Sequence, residues 1–291
     1  MHHPVLLNEV VCWMSPRNGG VYVDCNLGTG GHTAAILDAS SPAGRVIGID
    51  WDKDAVENAR QNLESYGERL EIFHTNFSRI DEVLERVGVD SVDGILLDLG
   101  FSSLQLEKSG RGFSFQRSEP LDMRMDVRKS VTAADLLNNC TQEELADMFY
   151  RYGQEKQARR IAAHIVSFRQ KEVISTTEQL VSIVGKAVPR RFHPKNIHVA
   201  TRVFQALRIA VNEELDNLEK VLGYGSKLLK PGARFCAISF HSLEDRLVKN
   251  IFLSRSDLQV LTRKPVKSGI EEISSNPRAR SARLRVAAKR L

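Results

Sequence analysis

Apolar and polar positions in the first hundred residues change period several times. Gly20 to Asp24, Arg45 to Asp50, Leu70 to His74 and Val92 to Asp98 are short apolar runs that read as strands. Between them, apolar residues recur at three- and four-residue steps. This predicts helices over Ala34 to Leu37, over Asp54 to Tyr66 with Ala55, Ala59 and Leu63 on one face, and over Ile80 to Val87. Strands this apolar need cover on both faces, which a parallel sheet alternating with helices provides.

The pattern then shifts. Leu104 to Met125 reads as a polar loop, and Ala133 to about Ile197 holds helix signals only. Thr141-x-x-Glu144 and Ser175-x-x-Glu178 are capping-box spacings, and Pro189 and Pro194 bracket a break. Val199, Val203, Leu207, Val211, Leu215, Leu218 and Leu222 predict one long helix. Leu229 to Gly232 reads as a turn and Arg234 to Phe240 as a fifth strand. Ser242-x-x-Asp245 opens another helix, and Leu258 to Thr262 and Ala282 to Ala287 are closing strands. The expected fold is α/β: a doubly wound sheet (residues 1–104 and 199–291) interrupted by a helical subdomain over 105–198.

Composition narrows the classes. The 291 residues are 42% hydrophobic and 26% charged, a globular balance that excludes wholesale disorder. No apolar run is long enough for a membrane-spanning helix, so no membrane partner is expected. The net charge of +5 is unevenly placed. Arg255 to Leu291 has ten Lys/Arg against three Asp/Glu, a net of +7, which leaves the first 254 residues at −2. Lys186 to Arg208 holds six Lys/Arg and no acid. Cys12, Cys25, Cys140 and Cys236 form no C-x-x-C pair, so neither a disulfide framework nor a metal site is expected, and a cytoplasmic location is.

The chemistry gathers where strands end. The first strand runs into Asp24-Cys25-Asn26-Leu27-Gly28-Thr29-Gly30-Gly31-His32, with a helix straight after. Glycines there let the backbone approach a nucleotide-like ligand. The second strand ends in Asp50, where an acid can accept from both ribose hydroxyls. A dinucleotide fingerprint spaces its third glycine differently, and Asp24 would repel a pyrophosphate. Asp24, Asp50 and Asp98, each ending a strand, suit a ligand with an ammonium, a sulfonium and an adenosine: S-adenosylmethionine. Phe77 is placed to stack on adenine, and Gln105 lies in the loop after the fourth strand.

Several blocks carry a resemblance. They are His3-Pro4-Val5-Leu6-Leu7; Gly28-x-Gly30-Gly31-His32; Leu96-Leu97-Asp98-Leu99-Gly100-x-Ser102-Ser103-x-Gln105; and Pro120-Leu121-Asp122-Met123-Arg124-Met125-Asp126. Next come Thr201-x-x-Phe204-Gln205-Ala206-Leu207-Arg208-Ile209-x-Val211-Asn212, Ser239-Phe240-His241-Ser242-Leu243-Glu244-Asp245-Arg246 and Asn276-Pro277-Arg278-x-Arg280-Ser281. Together they resemble the bacterial 16S rRNA cytidine 4-amino methyltransferase family across nearly the whole chain. The resemblance implies a class I methyltransferase sheet with a helical insert, and methylation of one decoding-centre cytidine. It implies cofactor contacts at Gly30, Gly31, His32, Asp50, Phe77, Asp98 and Gln105; the residues themselves add Asp24 and Gly28. Two departures stand out: Cys25 where the family commonly has glycine, and Ser118-Glu119 where it commonly has an acid-glycine pair.

An exocyclic amine is a weak nucleophile, so alignment and hydrogen-bond acceptance matter most, and Asp98 is the expected catalytic group. The Asp/Asn-Pro-Pro-aromatic signature of many base amino-methyltransferases is absent: this chain has Asp98-Leu99-Gly100-Phe101. No cysteine follows a proline, which disfavours carbon-5 chemistry. Expected RNA contacts are Asp122, Arg124, Arg208, Asn212, Ser239, His241, Arg278 and Arg280, with 16S rRNA or the small ribosomal subunit as partner. The basic stretch and tail would meet phosphates, and the target base must leave its stack. The competing class is a non-catalytic RNA-binding assembly factor on the same scaffold.

Overall fold

The computed structural model describes residues 4–100 and 110–291. They fall into two compact units: a sheet unit that runs through Gly100 and resumes at Leu215, and a helical unit between them that ends at Glu214.

The sheet unit opens with helix α1 (Leu7–Met14), which the sequence reading missed. Its signal was present, since Leu6, Val10 and Met14 stand four apart and all three are buried. Strand β1 (Val21–Asp24), helix α2 (Gly31–Ala39), strand β2 (Arg45–Asp50) and helix α3 (Lys53–Asn62) follow. Then come β3 (Leu70–His74), α4 (Ile80–Arg86) and β4 (Val92–Asp98). Helix α3 stops short of the expected Tyr66; a 3-10 segment over Glu64–Arg69, kinked at Gly67, takes its place.

Among the described residues, five α-helices make the helical unit: α5 (Ala133–Asn139), α6 (Gln142–Gly153), α7 (Ala158–Arg169), α8 (Thr177–Ala187) and α9 (Thr201–Asn212). Reciprocal capping boxes start three of them, at Thr132/Asp135, Thr141/Glu144 and Thr176/Gln179. The last corrects the Ser175/Glu178 expectation by one residue. Helices α6 and α9 approach so closely that a Cβ on Gly153 would press on the carbonyl of Arg202.

The single long helix expected over 199–222 is two. Glu213 adopts φ +53°, closing α9 and starting α10 (Glu214–Gly225). The apolar period runs unbroken across the junction, and neither Gly nor Pro marks it, so periodicity cannot reveal the break. Helix α9 also groups with the helical unit, so the sheet resumes later than the expected residue 199.

The sheet unit then closes with β5 (Leu229–Ser239), α11 (Ser242–Ser254), β6 (Leu258–Val260), the short α12 (Ile270–Ser275) and β7 (Arg283–Lys289). The expected turn at Leu229 to Gly232 is a bulge inside β5, between the pairs Val92–Leu229 and Gly94–Arg234. His241, not Ser242, is the N-cap of α11, paired reciprocally with Glu244.

The seven strands order as β3-β2-β1-β4-β5-β7-β6. The pairs among β1 to β5 are parallel, while β7 runs antiparallel to β5 and β6 antiparallel to β7. The order reverses between β1 and β4, and in open α/β sheets ligands bind in the crevice beyond the carboxyl ends of the strands at such a switch point. Asp24 pairs with Leu96, so Asp98 extends two residues beyond it on the same edge. Among the described residues, no helix is long and apolar enough to cross a membrane.

Candidate active site

The crevice is built from acids. Asp24 ends β1 at 1% exposure, and its carboxylate accepts from the Thr33 hydroxyl (2.8 Å) and the Asn26 amide (3.3 Å). Asp50 ends β2. Its two oxygens accept from the amides of Gly28 (2.8 Å) and Asp52 (2.9 Å), which fixes the glycine loop. Burial pushes Asp50 up to about 7 and raises Asp24 as well.

Asp98 ends β4 with its side chain 24% exposed, the most open of the three. Burial pushes it up to about 7, against the pull of Arg278. Its Oδ1 is enclosed and has no hydrogen-bond partner among the described residues. Its Oδ2 lies 3.5 Å from Nδ1 of His32. His32 Nε2 is 3.0 Å from the Val5 carbonyl, which can only accept, so Nε2 carries the hydrogen and Nδ1 of the neutral ring is an acceptor. Burial lowers the His32 pKa and keeps the ring neutral. A lone pair thus faces Asp98, and the carboxyl can donate to it only while protonated.

The glycines divide by role. Gly28 has φ +55°, and a Cβ there would meet only the Asn26 carbonyl at 3.9 Å, so of the three glycines it leaves the most room. At Gly30, φ is +89° and the Cβ position is filled by Leu63; at Gly31 it is filled by Pro4. Those two glycines are required by packing. Cys25, the first departure, is buried and donates its amide to Leu96, extending the β1–β4 ladder.

Phe77 follows β3 but is only 4% exposed, its ring tilted against Trp51 at 5.6 Å. Trp51 comes directly after Asp50, a neighbour the sequence reading passed over. So is Glu272, whose carboxylate accepts from the Leu6 amide (2.7 Å) and pins the segment that carries Val5. Gln105 lies outside the described residues.

Ser239 ends β5, with its hydroxyl 3.4 Å from the Arg283 carbonyl. His241 Nε2 lies 3.2 Å from Glu244 Oε1, and the other Glu244 oxygen accepts from the amides of Phe240 and His241. Arg278 sits over the Phe240 ring at 5.7 Å and faces Asp98 electrostatically. Arg280 is exposed. Much of the basic tail is internally paired: Arg283 and Arg285 both bind Asp245, and Lys289 binds Asp257. The tail is therefore less of a free phosphate ladder than its sequence suggests.

The other expected contacts belong to the helical unit. Leu121, Met123 and Met125 are buried, while Asp122 and Arg124 pair two-fold at 2.7 Å. Asn212 accepts from the Met125 amide (2.8 Å) and donates to the carbonyls of Met123 and Arg208 (2.8 Å each). Arg208 binds Glu214 through two bonds of 2.8 and 3.0 Å. Asn212 thus braces the 121–126 block, while Arg208 ties the end of α9 to Glu214. Glu119, in the second departure, accepts from the Gly112 amide and donates its own to Thr177 Oγ1.

A family model described as the MraW methylase family matches residues 1–290. The chain belongs to the MraW methylase family. Relatives agree along its length. Ribosomal RNA small subunit methyltransferase H of Desulfotalea psychrophila is 54% identical over 99% of this chain and 98% of its own. The protein of the same name from Geotalea uraniireducens is 47% identical over the same shares. Among solved structures, TrmN from Thermus thermophilus is 13% identical, with a TM-score of 0.46 over 98% of this chain and 48% of that one. This MraW methylase is an α/β enzyme of the class I methyltransferase type, and S-adenosylmethionine is its cofactor. The residues fit that group: three acids converge with raised pKa values, and Asp98 offers an unpartnered enclosed oxygen to a cationic, hydrogen-donating ligand.

Proposed function

We propose that this methylase modifies the exocyclic 4-amino group of a cytidine in the decoding centre of 16S rRNA, in the cytoplasm. The observation that carries the reading is Asp98, partly exposed at the switch point with an oxygen free to accept, in a chain whose relatives bear the name ribosomal RNA small subunit methyltransferase H.

S-adenosylmethionine supplies an electrophilic methyl group on a sulfonium. Asp50 offers its remaining lone pairs to ribose hydroxyls, Asp24 adds negative field for the cationic amino-acid end, and Gly28 leaves room for the backbone to approach. Gly30, Gly31 and His32 hold the loop in shape, Phe77 with Trp51 walls the adenine side, and Gln105 completes the set. Asp98 accepts from the target amine as positive charge develops on it, which strengthens the interaction at the transition state. No strong base is needed, because the methylated amine loses its proton readily.

Arg278 and Arg280 meet the RNA backbone, and Ser239 and His241 shape the rim next to Asp98. In the helical unit, Asp122, Arg124, Arg208 and Asn212 are further RNA contacts, with Asn212 holding the 121–126 block in shape. The basic stretch from Lys186 to Arg208 supplies phosphate contacts, with Arg190, Arg191 and Lys195 exposed.

Nucleoside mass spectrometry of 16S rRNA from cells with and without the gene tests this reading. Loss of N4-methylated cytidine supports it; an unchanged nucleoside profile contradicts it.

A further inference from the structure

Away from the crevice, the sheet unit carries a second concavity. It is a cavity of about 540 Å³ between the end of α11 and the outer strands β6 and β7. Five cationic side chains line it (Lys249, Arg255, Arg263, Arg285 and Arg290), and no carboxylate does.

Two of the five are already neutralised by acids just outside: Arg255 by Asp257 at 2.9 Å and Arg285 by Asp245 at 2.6 Å. Lys249 and Arg263 are exposed and make no ion pair among the described residues. Arg290 is exposed, and its side chain donates through Nε to the Leu258 carbonyl (3.1 Å), with no ion pair among the described residues. The cavity therefore presents three uncompensated charges on a floor of strand backbone and paired arginines. Leu253, 62% exposed, forms an apolar lip.

We infer that this groove binds the phosphodiester backbone of RNA, as a second anchoring site distinct from the methyl-transfer crevice. The inference rests on the rRNA reading above. Three features favour RNA over a protein partner. Guanidinium groups match phosphate oxygens two-fold. Protein interfaces are depleted in lysine and need an apolar centre, and here Leu253 is the lone exposed large apolar side chain on the lining. The cavity's volume of about 540 Å³ is also well above that of a single phosphate group.

Its place in the fold sets the length of RNA required. In the strand order β4 and β6 are three positions apart, and neighbouring strands lie about 4.8 Å apart, so the groove is displaced about 14 Å sideways from Asp98. A single nucleotide held at Asp98 cannot reach it, whereas a folded rRNA segment can.

The test is a triple variant, Lys249→Gln with Arg263→Gln and Arg290→Gln, none of which belongs to the crevice. Binding of a 16S rRNA transcript is measured against salt concentration by filter retention. Each lost contact lowers the slope of log K against log salt by about 0.7 to 0.9, so the triple variant should lose about 2.1 to 2.7. S-adenosylmethionine affinity by calorimetry and the thermal midpoint should stay at wild-type values. A wild-type salt slope in the variant overturns the groove while leaving the rRNA reading intact. Weaker retention of poly-glutamate with an unchanged rRNA slope also overturns it and assigns the groove to an acidic protein. Failure of the wild-type protein to bind either the transcript or small ribosomal subunits overturns the rRNA reading, and the groove with it.

Discussion

The Asp98 carboxylate lies 3.5 Å from the ring of His32, and the ring turns an acceptor nitrogen toward it. Burial, against the pull of Arg278, holds Asp98 up to about 7 until a cation arrives. An acid whose folded pKa exceeds its unfolded value keeps its proton in the folded state after the unfolded chain has lost it. Its contribution therefore reduces stability as pH climbs from about 4 to about 7. Asp98→Asn should raise the apo thermal midpoint at pH 8 by a few degrees, corresponding to about 1–2 kcal/mol. At pH 5, early in that window, the gain should be less than half as large, and at pH 3 near zero. An equal shift at all three values contradicts the assignment.

The same linkage governs the cofactor. A cationic ligand favours the ionised carboxylates, so binding should expel protons from Asp98 and Asp50 below about pH 7. Calorimetry at pH 6.5 in buffers of different ionisation enthalpy should show net proton release with S-adenosylmethionine, and less in Asp98→Asn. Identical enthalpies in all buffers count against it.

Asn212 clamps the 121–126 block through three bonds from a residue only 1% exposed. Asn212→Ala leaves the Met125 amide and the Met123 carbonyl without it, costing about 2–3 kcal/mol. Urea denaturation checks this, and a loss under about 0.5 kcal/mol would show the block to be held otherwise.

Gly30 is excluded from substitution by both its left-handed backbone and the Leu63 side chain. Gly30→Ala should lower stability by at least about 1 kcal/mol even without cofactor. If only S-adenosylmethionine affinity falls, the glycine serves the ligand directly and the packing role is wrong.

Glu272 ties the Leu6 amide, and through that segment the Val5 carbonyl that orients His32. In Glu272→Ala, hydrogen exchange at Leu6 should quicken at least about tenfold, reflecting loss of about 1.5 kcal/mol or more of protection. Unchanged exchange would mean that the segment is held elsewhere.

The strands were legible because their apolar runs are buried on both faces, and their ends placed Asp24, Asp50 and Asp98 correctly at one edge. Alternation cannot report backbone handedness, so the αL residue Glu213 was invisible and two helices read as one. Capping residues were misplaced by one at Thr176 and His241, because neighbouring hydroxyls or acids satisfy the same spacing. Charge counts showed a basic tail, but only the fold shows Asp245 and Asp257 answering Arg283, Arg285 and Lys289. Glu272 meets Leu6 across nearly the full length of the chain, and no local pattern encodes that contact.

The central claim is that Asp98 accepts from a cytidine amine during methyl transfer. Purified wild-type and Asp98→Asn proteins, given 16S rRNA or small subunits with S-adenosylmethionine bearing a deuterated methyl group, test it by nucleoside mass spectrometry. The expected result is labelled N4-methylcytidine from the wild type and a rate reduced by about 10²- to 10³-fold in the variant, the usual loss on removing one transition-state hydrogen-bonding group. Label on another position, or a variant as fast as the wild type, would contradict it.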